Sequence, residues 1–403
     1  MDIKKKIKSY ILSSLVSPNH QKIGMEEEII LYNKNKKRLS VNKSNYFSGQ
    51  DVIKILNKTK GNGKYSLEPG GQIEWSSLPY KNLNDLDKAQ KKHRNILKNF
   101  SDENNLKIIS YAVDPYNLPQ DIDLIDKEKY QLMDQNMIKN GTMGRWMMRN
   151  TASVQINFDI TSEKTLEEIV FVADCINPIS AYLFSNSPMM NGEKVNNKNI
   201  RNIIWENTDN IRCRNLIDHV INKSENLINN YINYLEGVPG IFQINRDGTI
   251  QSTKGNLLDR LKLLDQLNSL TDKDISVALH QIFTNVRLKK LIEIRGPDRP
   301  PIGYEMAPVS FWTGLLMVDS VRSEIYKEVK NWTYEDRIKF NNASLYLDDS
   351  KVIVRRKKYS FWNRWFGELA INGLKERGMG EETLFEDFFN VVMEKGPFSL
   401  QLQ

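Results

Sequence analysis

The sequence is poor in the residues from which many familiar enzyme centres are built. Its 403 residues include two cysteines, Cys175 and Cys213, and four well-separated histidines, His20, His93, His219 and His280. This excludes a disulfide framework, a Cys-rich zinc site and an HExxH-type metal centre, and it fits a reducing, cytoplasmic setting. No apolar run reaches the roughly 18 to 20 residues that a membrane helix needs, so a soluble chain without a membrane partner is expected. No Walker A loop or GxGxxG fingerprint occurs; Gly61-Asn-Gly63-Lys64 is a weak match that reads as a turn. Internal repeats and low-complexity linkers are also missing.

What is there is an ordinary globular composition, 40% hydrophobic and 27% charged, sufficient to bury a large core. The net charge of +7 follows a lysine bias spread along the chain, not a patch built for an anionic partner. The opening MDIKKKIKSYILSSLVS sets Ile3, Ile7, Ile11 and Leu15 on one helical stripe and reads as a packing helix; no signal-peptide cleavage pattern accompanies it. In VRRKKYSFWNRWF (354–366) cations interleave with aromatics, as at some nucleic-acid or membrane contacts. A basic turn followed by a helix packing Phe361, Trp362, Trp365 and Phe366 explains it more simply, and no nucleic-acid partner is expected.

Strands and long helices share the chain. Strand patterns fall at 22–32, in YSLEPGGQIEWS (65–76, interrupted at Pro-Gly-Gly), at 106–113, in GRWMMRNTASVQINFDI and in VRLKKLIEIRG. Helical patterns fall at 51–58, across Leu86 to Phe100, from the box Thr165-Leu-Glu-Glu168 to about 184, at 212–236, at 256–282, and from about Ser310 onward. His93 lies on an apolar helical stripe and reads as core. The strands are too widely spaced for regular βαβ alternation, so the class is α+β.

Four strand segments repeat one pattern. In IGMEEEIIL, Ile23, Met25, Ile29 and Leu31 share a face with Glu27, leaving Glu26 and Glu28 opposite. Gln72 and Glu74 oppose Ile73 and Trp75; Gln155, Asn157 and Asp159 oppose Val154, Ile156 and Phe158. Arg287, Lys289, Glu293 and Arg295 oppose Val286, Leu288, Ile292 and Ile294. One such face is usually a solvated sheet surface. Four, rich in carboxylate, carboxamide and guanidinium groups, point to convergence of Glu26, Glu28, Glu74 and Glu293, with Glu68 at a strand entry. Carboxylates so crowded repel unless cations lie among them. Oxygen ligands select hard cations, Mg²⁺ or Mn²⁺, which in turn grip phosphate oxygens. Arg295 then stands where negative charge develops in phosphoryl or acyl transfer.

In order and spacing, IGMEEEIIL, LEPGGQIEWSSLP, TASVQINFD, FSNSPMMNG, IIWENTDNIR and IFTNVRLKKLIEIRGPD, with GLKERGMGEE in a late helix, resemble the plant-type glutamate–cysteine ligase family from about residue 20 to the end. The resemblance implies a glutamine synthetase-like catalytic core: a curved, mainly antiparallel sheet forming a funnel with helices packed outside. It also implies one elaborated domain over 1–403, with an N-terminal helix in 1–20 and a mainly helical part at 310–403. The implied activity is ATP-dependent joining of the glutamate γ-carboxyl to the cysteine amine through a γ-glutamyl phosphate. Other γ-glutamyl ligases on this scaffold take other amines, ergothioneine synthesis being one pathway.

By the same resemblance Glu26, Glu28, Glu68, Glu74 and Glu293, with Gln155, would hold magnesium, and Arg295 would be catalytic. Arg212, Arg149, Thr151 and Trp205 would meet glutamate, Trp205 equally fitting core packing. Asn157, Arg287 and Lys289 would meet ATP, although Arg287 and Lys289 could instead neutralise the carboxylates. Cys213 departs from the plant pattern. Two cysteines cannot supply the plant enzymes' redox pairs, and no plastid transit peptide is visible.

Overall fold

Strand β1 (Ile23–Tyr32) is the axis of the protein, pairing on both sides because its apolar positions alternate with glutamates that need a common polar face. The computed structural model describes residues 2–43, 47–59, 63–348 and 352–401. The sheet adds β2 (Gly63–Leu67), β3 (Ile73–Ser77), β4 (Lys107–Ile109), β5 (Val154–Phe158), β6 (Val286–Leu288) and β7 (Ile292–Ile294). These seven strands run in the order β6-β7-β5-β1-β3-β2, with β4 on the far half of β1, and every pairing is antiparallel. The sheet is open, and its class is α+β.

The inner face of the sheet is apolar apart from buried Glu27. Met25, Ile29, Ile73, Trp75, Val154, Ile156, Phe158, Val286, Ile292 and Ile294 are all buried. They pack on helices that cover this side. Among these are α1 (Ile3–Ile11), α2 (Gly49–Leu56), α3 (Leu83–Glu103) and α6 (Glu163–Leu183), whereas α4 (Glu128–Asn140) and α5 (Gly144–Asn150) pack in a second cluster around Met133, Met137, Met147 and Met148 on the side of the polar face. Further helices at Ala307–Leu316, Tyr359–Glu376 and Thr383–Lys395 make the carboxy-terminal part predominantly helical. From Leu166 to Leu183 α6 is buried on nearly every side, as a helix between sheet and outer helices must be. No helix among the described residues is long and apolar enough to cross a membrane. Cys175 and Cys213 are buried and free.

Several predicted elements change form. The Pro-Gly-Gly break makes a hairpin, with Ser66 opposite Glu74 and Tyr65 opposite Trp75. VRLKKLIEIRG likewise folds back, Arg287 opposite Glu293. The predicted faces survive because cross-strand partners have the same parity in sequence. In GRWMMRNTASVQINFDI only Val154–Phe158 is extended; Gly144–Asn150 is helical, since a short apolar run such as Trp146-Met147-Met148 has no period of its own. The loop-rich segment before it contains α4.

The strand at 106–113 shrinks to Lys107–Ile109. Ser162, not Thr165, caps α6, its side chain accepting from the Thr165 N–H at 3.1 Å. The long helices at 212–236 and 256–282 break at left-handed Val220 and Asn226 and at the Thr271/Asp274 capping box. What remains is Leu227–Tyr234, Leu257–Gln266 and Asp272–Leu279. In α1 Ile3, Ile7 and Ile11 are buried but Leu15 is exposed beyond the helix end. Gly61 lies outside the described residues. Residues 354–366 form a small ribbon and a helix start that buries Trp362 and Phe366, while Phe361 stays exposed.

Ile156 is fully buried mid-strand. Ile156→Ala is expected to lower unfolding free energy by about 2–5 kcal/mol in a denaturant titration; a change under about 0.5 kcal/mol, the range of surface substitutions, would contradict this packing.

Candidate active site

Register across four strands, β3, β1, β5 and β7, assembles the polar face. Glu28 lies opposite Glu74, Glu26 lies between Ser76 and Gln155, Gly24 faces Asn157, and Asn157 pairs in turn with Glu293. The face forms one wall of a cavity of about 210 Å³ lined by Glu26, Glu28, Glu68, Glu74, Gln155 and Arg295, among others. Glu68 enters from the β2–β3 turn. There Gly71 adopts φ +79°, and Gly70 lies so close to Arg149 that a Cβ would stand 2.4 Å from its Cα. Gln72 locks the turn, donating to the Thr151 carbonyl at 2.8 Å and accepting from the Gly70 N–H at 3.1 Å.

Three of the carboxylates, Glu28, Glu74 and Glu26, have small neutral donors. Glu28 accepts from the Ser153 N–H (2.7 Å) and hydroxyl (2.9 Å) and from the Gln155 amide (3.2 Å). Glu74 accepts from Ser66 at 2.7 Å, and Glu26 from Asn157 at 3.0 Å. Burial, then the charges of Glu293 and Glu74, pushes Glu26 up to about 7. Burial also raises Glu28, Glu68 and Glu74, Glu68 being further lifted by Glu74 and Glu28. Glu293 differs. Burial alone would raise it, but Arg287 at 2.5 Å, Lys289 at 2.5 Å and Arg295 at 3.2 Å hold it well below the usual range.

This donor set of carboxylates and amide oxygens, without sulfur or ring nitrogen, fits a hard divalent cation, and mutual repulsion gives that cation its driving force. Among the described residues no three acidic, histidine or cysteine side chains already meet at one coordination point. Glu293 could join them only by releasing its cations.

Trp205 and Thr151 line the same cavity. Thr151 donates its hydroxyl to Met147 O at 2.7 Å, and the indole N–H of Trp205 is buried without a partner. Arg287 also lines the cavity, and it and Lys289 are bound to Glu293.

Two residues expected at the substrate are elsewhere. Arg212 is fully buried and committed to Asp209 (2.8 Å), the Pro239 carbonyl (2.8 Å) and the Gln281 carbonyl (3.3 Å). Arg149 binds Asp134 (2.8 Å) and the carbonyls of Pro119 and Ile122. Both guanidiniums tie segments of chain together, a use that a motif cannot distinguish from ligand binding.

The cavity also holds residues that periodicity left unmarked. Lys129 in the first turn of α4 stands over the rings of Tyr130 (5.0 Å) and Phe242 (5.7 Å) and has no ion-pair partner among the described residues. Met133, Met147, Met148 and Phe283 give one wall a soft apolar surface. His280, pushed down to about 4 by burial and then by Arg287 and Lys289, is neutral. On α4 only the amphipathic pattern of EKYQLMDQNMIK could have signalled Lys129, and that pattern is weak.

An antiparallel sheet thus presents buried acids and an arginine to one cavity. The chain belongs to glutamate-cysteine ligase family 2 (GCS2), whose model matches residues 22–347. It is 30% identical to the chloroplastic glutamate–cysteine ligase of Arabidopsis thaliana over 353 residues, 85% of this chain and 65% of that protein. It is 29% identical over 337 residues to glutamate–cysteine ligase A, chloroplastic, of Oryza sativa subsp. indica, 81% of this chain and 66% of that protein. The chain thus spans about two-thirds of the length of these curated relatives. A crystal structure of glutamate–cysteine ligase from Francisella tularensis in complex with AMP superposes with a TM-score of 0.61 at 12% identity, covering 93% of this chain and 82% of that one. This likeness shows the shared fold.

The raised carboxyls set a sign for pH. The folded protein retains protons that the unfolded chain, at the ordinary value of 4.5, has lost; stability of the metal-free protein therefore falls as pH rises from about 4.5 through about 7. Melting temperatures between pH 5.5 and 8 should decline, Mg²⁺ should restore more at pH 8 than at pH 6, and Glu26→Gln should flatten the slope. A profile indifferent to both pH and Mg²⁺ would contradict the site.

Proposed function

We propose that this chain is an ATP-dependent ligase that joins the γ-carboxyl of glutamate to the amine of cysteine. The observation that carries the reading is that Glu26, Glu28, Glu74 and Glu68 line one cavity together with Arg295. The names of the relatives agree with it. One elaborated domain and a cytoplasmic location belong to the same proposal. A core cluster running from Ile3 to Val392 supports the first, and two free buried thiols support the second.

A γ-carboxylate oxygen attacks the terminal phosphorus of ATP and ADP leaves; the cysteine amine then attacks the acyl carbon, phosphate departs and the nitrogen loses a proton. Magnesium, or manganese, would be held by Glu26, Glu28, Glu68 and Glu74 with Gln155, and when bound it neutralises phosphate charge. Arg295, fixed by the Gln155 carbonyl oxygen at 2.7 Å, meets the charge on the transferring phosphoryl and the tetrahedral oxyanion. Asn157, Arg287 and Lys289 would meet the nucleotide.

With Arg212 and Arg149 spent on scaffold contacts, Lys129 and the unpartnered Trp205 indole N–H are donors in the cavity for the glutamate α-carboxylate, and Thr151 lines the same cavity. The wall of Met133, Met147 and Phe283 suits a thiol side chain better than a charged acceptor.

ADP release with ATP, glutamate and Mg²⁺, with and without cysteine, tests the reaction, and mass analysis of the product over a panel of amines tests the acceptor. Glu74→Gln and Arg295→Ala should each lower kcat by about 10²-fold or more with the fold intact; near-normal turnover in both would refute the assignment. Lys129→Gln should raise KM for glutamate about tenfold, the value of one charge-assisted contact, with a smaller effect on ATP. If ATP alone is affected, Lys129 serves the nucleotide instead.

A further inference from the structure

Arg295 follows β7 directly, its backbone N–H donating to the Asn285 carbonyl at 2.8 Å, and its guanidinium must keep a defined position. Its own side-chain bonds, to Gln155 at 2.7 Å and Glu293 at 3.2 Å, both use one terminal nitrogen, and its Nε is buried without a partner. Something else must hold it.

Helix α7 (Ile200–Glu206) supplies it. Arg201 and Trp205 stand one turn apart, so both project from the same side of the helix. Arg201 is buried and donates to the carbonyl of Gly296 at 2.9 Å and to that of Arg295 itself at 3.3 Å. Asp298, 3.5 Å from Arg201, is fixed in turn by the Asn186 N–H at 2.9 Å and the Ser187 hydroxyl at 3.0 Å. The Trp205 ring lies between two guanidiniums, 5.8 Å from that of Arg201 and 5.6 Å from that of Arg295. One residue thus grips the backbone of Arg295 and the other its charged head.

We propose that Arg201 and Trp205 are positioning residues for the ligase step, clamping Arg295 by its carbonyl and by its guanidinium face so that its charge is in place before the transferring group arrives. This rests on the ligase reading. The geometry suits preorganisation: a planar ring restricts the guanidinium to one face, and a buried fork on two successive carbonyls removes the freedom of the strand end. Arg201 touches no substrate; its effect passes through Arg295.

The test uses the full chain and two readouts. Phenylglyoxal labelling followed by peptide mass analysis reports arginine accessibility without reference to turnover. Arg201→Met and Trp205→Leu should label Arg295 several-fold faster than the unmodified chain, with Arg287 in the same cavity unchanged. Kinetically, both should lower kcat by up to about 10²-fold, the scale of a 1 Å misplacement, while KM for ATP stays within about twofold in both and KM for glutamate stays within about twofold in Arg201→Met. Arg201→Lys, which keeps a donor and the charge, should recover part of the loss. Arg322→Met, altering a buried arginine bound to Glu168, Asp319 and the Leu316 carbonyl, should lower the melting temperature without changing Arg295 labelling. Equal Arg295 labelling in all variants, a parallel rise at Arg287, or a pure KM effect would overturn the proposal. An unmodified chain that releases no ADP would instead sink the ligase reading, and the labelling comparison would still decide the clamp.

Discussion

The repulsion among buried carboxylates is the constraint around which this protein is organised. Glu28 opposes Glu74 directly across the β1–β3 ladder, and Glu26 and Glu68 lie in the same cavity. Like charges directly opposite in a sheet destabilise it, and burial deepens the effect because water no longer screens them. The sheet tolerates the arrangement by giving Glu74, Glu28 and Glu26 neutral donors from Ser66, Ser153, Gln155 and Asn157. These soften the charge without cancelling it. The site is thereby left with an unmet demand for positive charge, which is the property a metal-nucleotide complex can use.

Three consecutive glutamates in β1 force a second solution on the other side of the sheet. Glu27 must point into the core, where an unpaired charge would be costly. It is met by Arg299 at 3.0 Å and Gln90 at 3.3 Å, while His93 stacks on Trp75 and takes a hydrogen bond with Tyr65. Arg299 follows Asp298 by one residue, so one short segment neutralises the back of β1 and anchors Arg201 behind the polar face. Polar pairing inside the core and charge placement in the cavity are therefore mechanically joined through residues 295–299.

The same neutralising logic separates arginines by role. Arg212, Arg149 and Arg201 are all held by backbone carbonyls and a carboxylate; Arg295 is held from behind and keeps Nε free. Sequence motifs grouped Arg212 and Arg149 with the substrate because a guanidinium fork matches a ligand carboxylate and a pair of carbonyls equally well. Lys129 escaped for the converse reason: its helix has a blurred apolar period, and only packing against Tyr130 and Phe242 turns its ammonium toward the acids.

The alternation of Glu26 and Glu28 against Ile23, Met25 and Ile29, of Glu74 against Trp75, and of Glu293 against Ile292 was legible in the chain alone. Side chains in a strand alternate regardless of what they meet, so the faces, the acidic cavity wall and the α+β class follow from local pattern. Tertiary structure decided which strands lie adjacent, that two apparent strands are hairpins, and that Glu293 is taken by three cations while Glu26 is not. It also chose Lys129 over Arg212 for the cavity. Those outcomes depend on register and on distances between residues far apart in sequence, and electrostatic interaction, falling with separation in space, is blind to separation along the chain.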